Sequence, residues 1–248
     1  KPVVLVDGDL RFGDVDIAVN TVARKSSADL LAYIHDLETS MIDSVLLDHI
    51  SGIQLLLAPP KFDPALEVTD SWMSHVIKQL AGSRSGFIVV DTPSGLSEPT
   101  LELLDAAKQV LLVTAASVSS LRATKRFLDL AAKMNYPGDK IALVVSGYRK
   151  IDIPLDEIER HLDWPLTAVV PGDPLAMALA LNQGQPIITR DHNHAISKAI
   201  IKLARSLSNR SSDDLPRIPD AGEGSASLNK STNPSAQMRL RPSSFTGS

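Results

Sequence analysis

The chain has 248 residues, 44% of them hydrophobic and 22% charged, enough for one substantial core or two small ones. A formal net charge of −4 supplies no general attraction for nucleic acid, leaving only a local basic patch as a route to it. The absence of cysteine excludes disulfides and thiolate metal sites, and no apolar stretch approaches the ~20 residues needed to span a bilayer.

Val3–Val6 is an unalternating apolar run that leads straight into Asp7-Gly8-Asp9. Such a run reads as a strand buried on both faces, hence a parallel sheet covered by helices. No leader pattern precedes it, and a lysine opening directly into a core strand reads as a fragment of a longer protein. The apolar spacing of Ser27–Leu37 predicts a short amphipathic helix, and a further turn or two is expected over Met41–His49. Ile53–Ala58, closed by Pro59-Pro60, is the second predicted strand. A helix starting at Asp63-Pro64 should run to about Leu80 and stop at Gly82.

Phe87–Asp91 is the third predicted strand, and Thr92-Pro93-Ser94-Gly95 then breaks regular structure. A helix over Pro99–Lys108, a strand over Gln109–Thr114 and a long helix over Ser117–Met134 follow. The last carries Arg122, Lys125 and Arg126, read as a solvated face. Ile141–Val145 and Leu166–Val170 are the fifth and sixth strands, with a helix over Pro154–Leu162 between them. Helices over Leu175–Asn182 and Ala195–Leu207 close the globule. This alternation predicts a doubly wound α/β domain over residues 1–207, with a mainly parallel sheet and helices on both faces. From Ser208 to Ser248 the composition turns to Ser, Pro, Asn, Gly and Asp, which predicts a disordered tail.

In open α/β sheets, ligands sit beyond the carboxyl ends of the strands, where Asp7, Asp9 and Asp91 fall. Ionised carboxylates there need a partner, and hydrated Mg²⁺ with an attacking water would supply one. A capped strand end with acids solvated in a turn is the alternative. Pro171-Gly172-Asp173-Pro174 likewise fits a ligand loop or an ordinary turn and helix cap. His192-x-His194 lacks a third ligand at helical spacing, so it reads as no metal site.

The motifs V-L-V-D-G-D-L-R-F-G-D-V, F-I-V-V-D-T-P-S-G, S-S-L-R-A-T-K-R, V-V-P-G-D and A-L-N-Q-G-Q-P-I-I stand in this order. Together they resemble the MinD/ParA group of P-loop ATPases, a SIMIBI-class fold, and within it the CpaE/TadZ branch associated with Flp pilus assembly. The resemblance implies ATP and Mg²⁺ as ligands. It implies that Asp9 positions the attacking water and that Asp7 lies beside the phosphate and Mg²⁺ region. Asp91 becomes the Walker B acid that holds Mg²⁺ through water, and Pro93 with Gly95 the second switch. Pro171 and Asp173 become the loop against adenine, with Ser146 where relatives place an adenine-reading asparagine.

The sequence departs from the group in one large respect. The K-G-G-x-G-K-[ST] loop and its central strand do not occur in these residues, so the resemblance implies that the first P-loop strand is missing. The implied function is an ATP-dependent dimerising switch that localises pilus or secretion machinery. It would be cytoplasmic, recruited by partners to the cell pole or inner membrane, with the fragment itself inactive. The tail offers no amphipathic helix as an autonomous membrane anchor. The alternatives are a ParA-like DNA partition ATPase, disfavoured by the negative charge, and a non-hydrolysing scaffold on a decayed ATPase fold.

Overall fold

The computed structural model describes residues 1–33, 36–61 and 72–209. The expected tail lies outside the described residues from 210 onward, as does the helix start expected at Asp63-Pro64. The elements in chain order are β1 (Val3–Asp7), α1 (Val15–Ala18), a 3-10 helix (Ser27–Tyr33), α2 (Thr39–Val45), β2 (Leu47–Asp48), β3 (Gln54–Leu56) and α3 (Trp72–Ser83). Then come β4 (Phe87–Asp91), α4 (Glu98–Ala106), β5 (Val110–Thr114), α5 (Val118–Lys133), a 3-10 turn (Gly138–Lys140) and β6 (Ile141–Tyr148). The chain closes with α6 (Leu155–Leu162), β7 (Leu166–Pro171), α7 (Pro174–Asn182), α8 (Ile187–Arg190) and α9 (Ala195–Asn209).

The parallel α/β architecture expected from the sequence is the one observed. β1 pairs in parallel with β3 on one side and β4 on the other, and β6 pairs in parallel with β5 and β7. The strands form two hydrogen-bonded sets, β2-β3-β1-β4 and β5-β6-β7. Helices α3, α4, α5 and α6 pack on one face through Trp72, Leu103, Leu121 and Ile158. On the other face, Ile187 of α8 and Ile196 of α9 cover Val144, and Val15 of α1 covers Leu55 and Leu57.

Side-chain caps set several helix starts. Ser97 accepts a hydrogen bond from the Thr100 amide at 3.4 Å to begin α4, and Ser117 accepts from the Ser120 amide at 3.4 Å to begin α5. Three local expectations are corrected. The helix expected over Ser27–Leu37 is a 3-10 segment ending at Tyr33, with Ile34 and His35 outside the described residues. Its start is pinned by the Ser27 amide donating to the Leu57 carbonyl at 2.8 Å and by Asp29 accepting from the Ser26 amide at 2.6 Å. The turns expected over Met41–His49 end at Val45, because Leu47–Asp48 leaves the helix to pair antiparallel with Gln54–Leu55. Ser51-Gly52 makes that turn, with Gly52 at φ +86°, a value that favours glycine. The strand expected over Ile53–Ala58 is correspondingly short, Gln54–Leu56.

Candidate nucleotide and metal site

The carboxyl ends of β1 and β4 lie side by side, with Asp7 in register with Asp91. The Gly8 amide donates to the Asp91 carbonyl at 2.8 Å, and a Cβ at Gly8 would stand 2.6 Å from that same oxygen. The approach is therefore too close for any other residue. Gly8→Ala is expected to cost about 1–3 kcal/mol by forcing the two strand ends apart. Urea unfolding measures this, and a loss below about 0.5 kcal/mol would show that the strand ends yield freely.

Asp7 is 1% exposed. One carboxylate oxygen accepts from the Asp9 amide at 3.2 Å and the other from the Val15 amide at 3.3 Å. The second bond ties the start of α1 back onto β1. Gly13 makes that fold-back possible, since a Cβ there would overlap the Asp7 carboxylate and stand 2.6 Å from the Ala58 Cβ. Burial pushes the Asp7 carboxyl up to about 6, against the opposing pull of the two amide hydrogen bonds, with Asp91 and Asp9 adding repulsion.

Asp9 is exposed to a greater degree, and its Oδ1 accepts from the Arg11 amide at 3.1 Å and the Phe12 amide at 3.0 Å. Those two bonds fix the carboxylate on the turn it builds. Asp91 has its carboxyl raised by partial burial first and then by the negative charges of Asp14 and Asp9. Asp14 thus belongs to the acidic group although the sequence reading had not singled it out. The signal was present as the G-D pair that ends D-G-D-L-R-F-G-D. Pro93 is half-buried, and Gly95 sits at φ +102° in the exposed turn that leads into α4.

Ser146, Pro171 and Asp173 gather at the ends of β6 and β7. Ser146 pairs with Val170 and Tyr148 with Pro171, across an irregularity that contains Gly147 at φ +71°. Gly172 packs directly against the Gly147 carbonyl, and its amide donates to the Tyr148 carbonyl at 2.8 Å. Asp173 caps α7 by accepting from the Ala176 amide at 3.0 Å, and its other oxygen lies 3.3 Å from His194 Nε2. The Ala176 amide, and then His194, hold the Asp173 carboxyl below the usual range. The structure thus assembles Asp7, Asp9, Asp91, Pro93 and Gly95 at one pair of strand ends, and Ser146, Pro171 and Asp173 at another.

Among the described residues, no group of three or more His, Asp or Glu side chains is arranged to hold a metal ion by itself. Asp7 and Asp91 are nonetheless two neighbouring carboxylates whose charged forms are disfavoured, Asp7 by burial and by the charges of Asp91 and Asp9, and Asp91 by partial desolvation and by the charges of Asp14 and Asp9. That is the electrostatic setting a Mg²⁺-bearing phosphate fits, because a cation relieves both penalties. The described residues contain no glycine-rich loop opening a helix, the element that would hold the phosphates.

A parallel α/β sheet with acids at the carboxyl ends of adjacent strands defines the class: an α/β protein whose ligand crevice lies at those strand ends. In sequence and in fold the chain is similar to MinD and ParA family proteins. No family model matches it. The septum site-determining protein MinD of Synechocystis is 23% identical over 239 residues, covering 93% of this chain and 85% of that protein. The structure of a ParA family ATPase from Chlorobium tepidum is 25% identical with a TM-score of 0.75, covering 83% of this chain and 85% of that one. MinD of Pyrococcus horikoshii, complexed with Mg-ADP, is 23% identical with a TM-score of 0.71, covering 84% of this chain and 83% of that one.

Proposed function

We propose that this chain is the body of an ATP-dependent, Mg²⁺-using switch that dimerises on nucleotide binding and positions other machinery in the cell. The observation that carries the reading is the pair Asp7 and Asp91, in register on adjacent strand ends and both destabilised as anions. Mg²⁺–ATP, when bound, supplies the transferable phosphoryl group and the charge that these carboxylates lack. Asp9, oriented by two amides, is proposed to orient water, and Asp91 to hold a water of the metal's hydration shell. Gly95, in a left-handed turn, can follow the departing phosphate without a side chain to obstruct it. The loop of Pro171 and Asp173, with Ser146 beside it, is proposed to border the base.

The phosphate-binding loop and its strand are proposed to come from a segment outside these 248 residues. Pilus or secretion machinery is the cargo proposed from the sequence motifs alone; the relatives reported above are a septum-site protein, a ParA family ATPase and a MinD. No described helix is long and apolar enough to cross a membrane, so placement at the inner membrane or pole is proposed to depend on partners. The ParA likeness supports a second reading, a DNA partition ATPase, against which the net charge of −4 argues.

Sedimentation of the protein extended upstream of Lys1 by the proposed phosphate-binding segment tests the reading, with ATP, with ADP and with ATP plus duplex DNA. A dimer formed with ATP alone is expected. A monomer under all conditions contradicts the switch, and co-sedimentation with DNA favours the partition motor.

A further inference from the structure

Asp173 opens α7 and His194 opens α9, and their side chains meet. Asp173 Oδ1 accepts from the Ala176 amide at 3.0 Å, while Oδ2 lies 3.3 Å from His194 Nε2. The His194 carbonyl accepts from the Lys198 amide at 3.0 Å, and its Nδ1 stands 3.2 Å from the Ile196 amide nitrogen. A backbone amide can only donate, so Nδ1 carries no proton and accepts. The ring proton is then on Nε2, which donates to Asp173. His194 is thereby fixed as one neutral tautomer with both nitrogens engaged. A proton added at Nδ1 would face the Ile196 N–H and break the bond that caps α9.

The two ends of this contact are mounted very differently. The His194 amide donates to Asp191 Oδ1 at 3.1 Å, and the buried Ser197 hydroxyl donates to the Asp191 carbonyl at 2.6 Å. Ile196, 3% exposed, packs with Val144 of β6 and Val170 of β7, so the start of α9 is seated in the core. α7 has a weaker seat. The residues it turns to that core are alanines, Ala176 and Ala180, which bury little area, while Leu175 is 72% exposed and Met177 45%. Asp173 stands roughly 10 Å of helix ahead of buried Ala180. Packing therefore fixes the start of α7 weakly, and polar contacts decide where it rests. On one flank the Gly172 amide donates to the Tyr148 carbonyl at 2.8 Å, and on the other His194 holds Asp173.

We propose that His194 is a positioning residue for the loop Pro171–Pro174. As the Nε2–H tautomer it ties Asp173 to the seated start of α9 and holds the loop in the pose that borders the base. The inference rests on the nucleotide reading given above and adds to it the residue that sets this loop. His194 acts through Asp173 and not on the ligand itself. The spacing of His192-x-His194 excluded a metal site, and the second of the pair has this use instead.

The test starts with the 248-residue chain, without nucleotide. Nitrogen NMR at neutral pH is expected to show His194 Nδ1 bare and Nε2 protonated. Two substitutions then divide its bonds. Asparagine carries its oxygen where Nδ1 stands, and glutamine carries its amide nitrogen where Nε2 reaches. His194→Asn keeps the α9 cap and loses the tether, so amide exchange at Ala176 should quicken by about tenfold with Ile196 unchanged. His194→Gln keeps the tether and should restore slow exchange at Ala176 while Ile196 quickens. A ring proton on Nδ1, unchanged exchange at Ala176 in His194→Asn, or no difference between the two variants overturns the proposal. The chain extended upstream of Lys1 by the proposed phosphate-binding segment supplies the last arm. There His194→Asn should weaken ATP binding by about three- to tenfold and leave inorganic tripolyphosphate, which has no base, unaffected. Equal weakening of both, or of neither, also overturns it. If the unsubstituted extended protein binds neither ligand, the nucleotide reading falls and the base role of His194 falls with it. A failure in NMR or exchange alone strikes His194 and leaves the nucleotide reading to its own test.

Discussion

Asp9→Asn, in the protein extended upstream of Lys1 by the proposed phosphate-binding segment, is expected to slow ATP hydrolysis by about 10²–10⁴-fold while ATP affinity stays within about threefold. Asparagine keeps the oxygen that accepts from the Arg11 and Phe12 amides, so the turn survives and only the charge is lost. A group that orients water acts on the transition state far more than on the bound ground state. Asp91→Asn should behave differently. A carboxylate that holds a metal-bound water contributes to metal affinity itself, so losing it should weaken Mg²⁺-dependent ATP binding by about 10–100-fold along with turnover. Single-turnover hydrolysis and ATP titration of both variants separate the roles. Wild-type turnover in Asp9→Asn refutes its assignment, and equal loss of affinity in both refutes the division of labour.

The second large effect is on stability and concerns Asp7. Its carboxyl sits at about 6 in the folded chain against 3.8 for the free side chain. The folded state therefore binds a proton more tightly than the unfolded chain does. The sign follows directly: stability falls as pH rises from about 4 to about 6, because deprotonating a buried acid is paid for by the fold. Two units correspond to roughly 3 kcal/mol at neutral pH. Asp7→Asn removes this dependence while sacrificing one of the two oxygens that accept from the Asp9 and Val15 amides. The stability of the variant minus that of the parent should therefore increase by about 2–3 kcal/mol between pH 4 and pH 7. Urea unfolding at the two values checks it, and a pH-independent difference would show that Asp7 is not held as the structure holds it.

How far the sequence alone carried the reading depends on how local the cause was. The run Phe87–Val90 ending in Asp91 was legible, because an apolar stretch without alternation and a following P-x-G loop are properties of adjacent residues. The same holds for the helices after Ser97, Ser117 and Asp173, whose caps are written in the residues themselves. β2 was not legible, because two residues carry no periodicity, and the Ser51-Gly52 turn was the only sign of the hairpin. Asp7 and Asp91 were found because they end strands and Asp9 because it follows in D-G-D, whereas Asp14, further along the loop, was missed. Asp14 reaches Asp91 only because Gly13 lets the chain fold over Asp7, and that approach is tertiary. The division into two sheets was likewise hidden, since strand order depends on which edges meet rather than on any run of residues.

The central proposal is that the acids at the ends of β1 and β4 serve a nucleotide whose phosphates are held by a loop these residues do not include. Titration of a fluorescent ATP analogue with Mg²⁺ tests it most directly, comparing the 248-residue chain with the same chain extended upstream of Lys1 by the proposed phosphate-binding segment. The account predicts saturable, Mg²⁺-dependent binding by the longer protein and no saturation in the low micromolar range by this chain. Low-micromolar binding by this chain alone, or none by the longer protein, would contradict it.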